Sequence, residues 1–169
     1  MTFRITGLDE TIRQLEEYKE RIKRKQRTLL ERLAAIGIET ASVRFATARY
    51  DGTNDVVVPH VPEWQGDNKL IISASGSTVY FIEFGSGVHY SETHPKAAEF
   101  GAVRGSYGHG LGKLDSWRYE GEPGTDGEPS TKHPGQVVTH GNPPARAMFD
   151  AAEDIRDKIL EIAKEVYAT

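Results

Sequence analysis

The chain contains no cysteine. It can therefore build neither a disulfide framework nor a thiolate nucleophile, a composition that fits a reducing cytoplasm. Long apolar runs are missing too. None approaches the ~18 residues needed to span a membrane, and the opening MTFRITGLDE lacks the basic-then-apolar order of a secretion signal. There is no excess of positive charge. With 21 Lys and Arg against 25 Asp and Glu, the formal net charge is −4, so the chain as a whole is not drawn to a phosphate backbone. What remains is 169 residues, enough for a single domain with a real core.

The pattern along the chain predicts an α+β fold over residues 1–169. Phe3 and Ile5 alternate with polar neighbours and predict a short first strand, closed by Gly7. Asp9 is placed to cap a helix over 8–48. Leu8, Ile12, Leu15, Ile22, Leu29, Leu33, Ile36 and Val43 recur along it at steps of three and four or multiples of seven, with Lys19 and Gln26 interrupting the face. Such a helix is roughly 60 Å long. A small core cannot cover it, so either it bends near Gly37 or its first half projects and packs on another chain.

Antiparallel strands are expected between 55 and 140. Val56–Val58 reads as one, and KLIISA and TVYFIEF read as a hairpin about Ser75-Gly76. In the second of these, Tyr80, Ile82 and Phe84 would face one way and Val79, Phe81 and Glu83 the other. SWRYEG and QVVTHG give two more strands. The Gly- and Pro-rich segment at about 120–135 between them has almost no packing residues and predicts a mobile loop. A closing helix over 145–167 presents Met148, Ala152, Ile155, Ile159, Ile162 and Val166, with Asn142 as its cap and Pro143 in its first turn.

Catalytic signatures are weak. HYSETH, with His89, Glu92 and His94, matches no zinc-ligand spacing, and His133 and His140 add none. These histidines are expected in exposed loops. GSGVH and GSYGHGLG lack the lysine and the strand–helix context of phosphate or dinucleotide loops. Ser86 lacks a full nucleophile elbow. Glu16-Glu17 and Glu153-Asp154 read as solvated helix charges. No cofactor and no enzymatic activity are expected. Trp64 and Trp117 fit either core packing or an interface anchor.

One short stretch stands out. STVYFIEFGSG is apolar and aromatic except for Glu83, just before Gly85-Ser86-Gly87. A carboxylate there is costly to bury unless partnered. Arg146, the only basic residue of GNPPARAMFDAA, is the expected partner through a two-bond ion pair, within the chain or across a subunit contact. Gly85 would let the backbone turn sharply to admit the last helix.

Three segments taken in order, ITGLDETIRQLEEY, YFIEFGSG and HGNPPARAMFDAA, resemble the neck or tail-completion proteins of long-tailed bacteriophages. HPKAAEFG, YGHG and WRYEG are similar to elements of family members from phages of Gram-positive bacteria. The chain departs where ARYDGTND replaces a Pro-x-x-Thr-Gly stretch, and where Ala147 replaces a second proline. The resemblance implies a structural virion protein at the head–tail junction, made in the host cytoplasm. It would assemble as a ring with a head-closure protein and a tail terminator or tail tube protein. DNA would pass nearby without sequence-specific binding, and no membrane is involved. Under this reading Glu83, Arg146, Gly85, Leu15, Ile22 and Trp117 are structural and assembly residues. Two other classes remain in view: a metal-dependent hydrolase using the loop histidines, and a DNA-binding module using the basic segment Lys19 to Arg27.

Overall fold

The computed structural model describes residues 7–48, 54–90, 92–103 and 113–168. The strand expected at MTFRIT and the GSYGHGLG segment lie outside them. The architecture is α+β. A long helix α1 (Leu8–Thr47) leads into a two-stranded antiparallel sheet of β1 (Glu63–Gln65) and β2 (Lys69–Ile71), then a short helix α2 (Val79–Phe84). A second antiparallel sheet follows, built from β3 (Trp117–Glu120), β4 (Gly127–Pro129) and β5 (Gln136–Thr139) in the order β3-β5-β4. The last element is the helix α3 (Ala147–Ala168).

α1 and α3 run antiparallel and make the main packing interface. Lys25 Nζ donates to the Tyr167 carbonyl, Arg32 pairs with Glu165, Thr40 Oγ1 donates to Asp154 Oδ2 (2.7 Å), and Arg44 pairs with Asp150 (2.8 Å). Between these polar contacts, Leu33, Ile162 and Val166 form one buried cluster. Ile38, Ala41, Phe45, Val58, Ile82, Ala147 and Ala151 form the central one. α1 runs through Gly37 as one continuous helix. That glycine instead permits close packing: a Cβ there would stand 2.6 Å from Ile155 Cδ1 and 2.7 Å from Ile72 Cδ1.

The buried face of α1 differs from the stripe expected. A repeat of three and four averages 3.5 residues, whereas a straight helix turns every 3.6, so such a stripe drifts by about 20° per heptad. By Val43 it has rotated off the core, and Val43 is 56% exposed. The residues buried there are Leu33, Ala34, Gly37, Ile38, Ala41 and Phe45. At the other end α3 gives out beside Lys25. The first half of α1 projects, with Leu8 (59%), Ile12 (46%), Leu15 (62%) and Tyr18 (53%) exposed and Ile22 half-buried. Its N-cap is Gly7, not Asp9, which lies in the first turn where a carboxylate complements the helix dipole.

The middle of the chain corrects several expectations. TVYFIEF is a helix, not a strand. β2 pairs with β1 across Gly66-Asp67-Asn68, and no hairpin forms about Ser75-Gly76. Val56–Val58 contributes only a single bridge, Val57 to Ser75. The segment expected to be a mobile loop contains β4, which pairs along β5. Backbone polar groups hold it where apolar side chains could not. Gly124 N–H donates to Tyr119 Oη, Thr125 N–H to Asn142 Oδ1, and Ser130 N–H to the Gln136 carbonyl.

Candidate functional site

The chain entering α2 is held from a distance, just before the first turn. Asp55 accepts the Ser77 N–H (2.6 Å), the Thr78 N–H (3.1 Å) and the Thr78 hydroxyl (2.8 Å). These bonds, the Ser77 backbone first, hold the Asp55 carboxyl well below the usual carboxylate range. Three consecutive residues of the helix, Ile82, Glu83 and Phe84, are buried. Burial on several sides explains the uniformly apolar sequence, which a half-exposed strand would not show. Gly85 ends the helix at φ 81°, and a Cβ there would lie 2.7 Å from the Asn142 carbonyl oxygen. The chain then exchanges two backbone bonds between Ser86 and Asn142 (2.9 and 3.2 Å).

That bridge brings α2 to the start of α3. The Ala145 N–H donates to the Ile82 carbonyl (2.8 Å) and the Arg146 N–H to the Glu83 carbonyl (3.2 Å). Arg146 is the residue before the first turn of α3, at φ 55°, and its side chain has no acceptor for the free N–H groups of that turn. Glu83 supplies the missing acceptor. Its Oε2 takes the Met148 N–H (2.8 Å) and its Oε1 the Phe149 N–H (3.0 Å). A buried side chain of one helix thus caps the next, in the place that an N-cap Ser or Asp fills in other helices. Asn142, the expected cap, bonds Thr125 and Ser86 instead.

His94 completes the arrangement. It is 3% exposed, against the expectation of an exposed loop histidine. Its Nδ1 accepts the Lys96 N–H (3.0 Å), which fixes the neutral tautomer with the proton on Nε2. That Nε2–H points at Glu83 Oε1, 3.3 Å away. Burial pushes the His94 pKa down, against the pull of the Glu83 carboxylate. Phe84 and Phe149 flank the imidazole at ring-centroid distances of 4.4 and 5.4 Å. Above the pair opens an apolar cleft of about 480 Å³ lined by Val79, Tyr80, Phe84, Phe100, Met148 and Phe149.

The Glu83–Arg146 ion pair is not formed within the chain. The Glu83 carboxylate is taken by the α3 backbone and His94. The Arg146 guanidinium lies over the Phe149 ring (4.9 Å) and pairs with Asp150 (3.0 Å), which also holds Arg44. The Arg146 Nε is buried without a partner. The sequence signal was present in another form: the stretch before α3 puts Arg146 where a capping side chain belongs, so the acceptor had to come from elsewhere.

The other marked residues fall apart spatially. Trp117 is half-buried with its ring against Gly87, and Trp64 lies under the Arg27 guanidinium (4.3 Å to the centroid). The His89 and His140 rings meet at a tilt of 50°, 5.8 Å between centroids, and His140 Nδ1 stands 3.4 Å from Asp126. His133 is exposed. Among the described residues no three His, Cys, Asp or Glu side chains converge as metal ligands, and no helix is long and apolar enough to cross a membrane. Leu15 and Ile22 lie on the projecting half of α1, remote in sequence from the capping junction. Comparison with protein-family models, with curated proteins and with solved structures finds no match to this chain.

Proposed function

We propose that this protein is a structural component of the neck of a long-tailed bacteriophage, joining a DNA-filled head to a tail by packing against copies of itself and neighbouring connector proteins. The observation that carries the reading is the projecting half of α1. It displays Leu8, Ile12 and Leu15 on a helix that the other described residues leave uncovered, and exposed apolar surface of this kind belongs to an interface. The sequence resemblance supplies the kind of assembly. Its motif residues also have physical work in the fold. The Glu of EFGSG caps α3, Gly85 allows the close turn, and the NPPAR segment delivers the helix start to that carboxylate.

The protonic groups of the junction favour a structural role over an acid–base one. Both Glu83 oxygens and both His94 nitrogens are engaged in bonds within the chain. A phage in which this gene is interrupted should accumulate filled heads and separate tails that purified protein joins in vitro. Fully assembled, infectious particles from the interrupted gene would refute the assignment. Zinc bound stoichiometrically, or salt-sensitive retention of DNA, would move the protein to the hydrolase or DNA-binding class.

A further inference from the structure

We infer that the projecting half of α1 pairs with the same segment of a second copy, antiparallel, over residues 8 to 26. This inference names the occupant of the surface that carries the neck reading, and it rests on three features of the helix itself.

The first is the repeat. Leu8, Leu15, Ile22 and Leu29 recur every seven residues, and Ile12, Lys19 and Gln26 fall between them at the alternating three and four. A strict seven-residue repeat keeps its face only when two helices supercoil, and on a straight helix it drifts away. The drift is visible where α3 takes over as the partner of α1. Among the described residues the N-terminal half has no such partner, and residues 8–20 are exposed throughout.

The second is the fit in length. α3 reaches back along α1 as far as Lys25, whose ammonium lies 6.0 Å from the Tyr167 ring centroid and bonds the Tyr167 carbonyl. An antiparallel pair centred on Glu17 spans residues 8–26 of each copy and ends where α3 begins.

The third is what the polar residues of the stripe would meet. In the antiparallel register, Ile12 faces Ile22 of the second copy, Lys19 faces Leu15, and Gln26 faces Leu8. A lysine or glutamine beside leucine can run its stem along the apolar surface and keep its head in water. A parallel pair would set Lys19 on Lys19 and Gln26 on Gln26, with the basic run Arg21 to Arg27 against itself. The flanks agree. Asp9, which forms no ion pair within the described residues, comes beside Lys23 of the second copy on both sides of the axis, at the cost of one Glu16–Glu16 approach on it. A contact of this symmetry closes on itself as a dimer and is distinct from any head-to-tail ring contact.

The absence of native cysteine gives a clean test. Ile12→Cys and Ile22→Cys proteins, alone and mixed, are exposed to mild oxidation. The mixed 12–22 disulfide should form at least about tenfold faster than either homodisulfide, because pairing raises the effective thiol concentration. A Glu161→Cys protein, at an exposed position of α3, sets the background rate. Unmodified full-length protein should sediment as a dimer at high concentration, and Leu15→Asp should return it to monomer with an unchanged helical spectrum. Faster 12–12 than 12–22 coupling overturns the antiparallel order. Coupling at the Glu161→Cys background rate, or a dimer that survives Leu15→Asp, overturns the pairing itself.

Discussion

Removing the Glu83 carboxylate should do more damage than removing any single exposed charge of this protein. Glu83→Ala strips the acceptor from three donors: the part-buried Met148 and Phe149 amides and the buried His94 Nε2–H. A buried donor left without an acceptor costs about 1–3 kcal/mol. The apolar cleft beside the pair gives water a route to part of that vacancy, so the sum falls below the arithmetic maximum, at about 3–5 kcal/mol. Glu83→Gln keeps one oxygen and the side-chain shape, but turns an NH₂ toward a donor and loses the charge at the helix N-terminus. The expected cost is about 2–3 kcal/mol. Arg146→Met removes an ion pair to Asp150 from a side chain that is 40% exposed, and should cost under about 1 kcal/mol. Urea denaturation of the three single variants, monitored by circular dichroism, measures the order. A double-mutant cycle locates the coupling. Glu83→Gln with His94→Gln should be non-additive, whereas Glu83→Gln with Arg146→Met should add within about 0.5 kcal/mol. If Arg146→Met costs as much as Glu83→Ala, or the Glu83–Arg146 cycle carries the coupling, the capping account is wrong and the ion pair expected from sequence is the true one.

Two further outcomes follow from the same junction. The His94 pKa is depressed by burial below its ordinary 6.5, so the unfolded chain binds the extra proton first; stability should be full above about pH 6.5 and fall as the pH drops toward the folded value. His94→Gln should flatten that slope, and a urea midpoint equally pH-dependent between 7.5 and 5.5 in both proteins would assign it elsewhere. Gly85→Ala should destabilise by about 2–4 kcal/mol from its left-handed φ and from the 2.7 Å approach to the Asn142 oxygen, and a thermal midpoint within a degree of the parent would show that the α2–α3 crossing is loose.

How much of this was legible in the sequence depended on which interactions are local. Both long helices announced themselves, because their apolar residues recur within a few turns and need no knowledge of the partner. The projecting half of α1 was legible as one of two alternatives: a helix of roughly 60 Å exceeds what a core of this size can cover, so it had either to bend near Gly37 or to project. α2 was not legible. Five apolar residues around one glutamate, with aromatic and β-branched members, fit a buried strand as well as a buried helix, and periodicity cannot separate them. What decided it was Asp55, more than twenty residues away, which supplies acceptors to the backbone at Ser77 and Thr78. The oddity of Glu83 was legible, and so was the segment that would answer it, but not the answering atoms. Charge invites pairing with charge, so Arg146 drew attention ahead of the amides beyond it. The backbone carries no mark in a sequence. Yet the start of α3 sets free N–H groups within reach of Glu83, and the Arg146 side chain has no atom that could accept them. For an anion buried beside a helix N-terminus, the nearest positive pole is the helix itself. The test of a lone carboxylate in an apolar run is therefore to ask which helix start lacks its own cap, before asking which arginine lacks its own carboxylate.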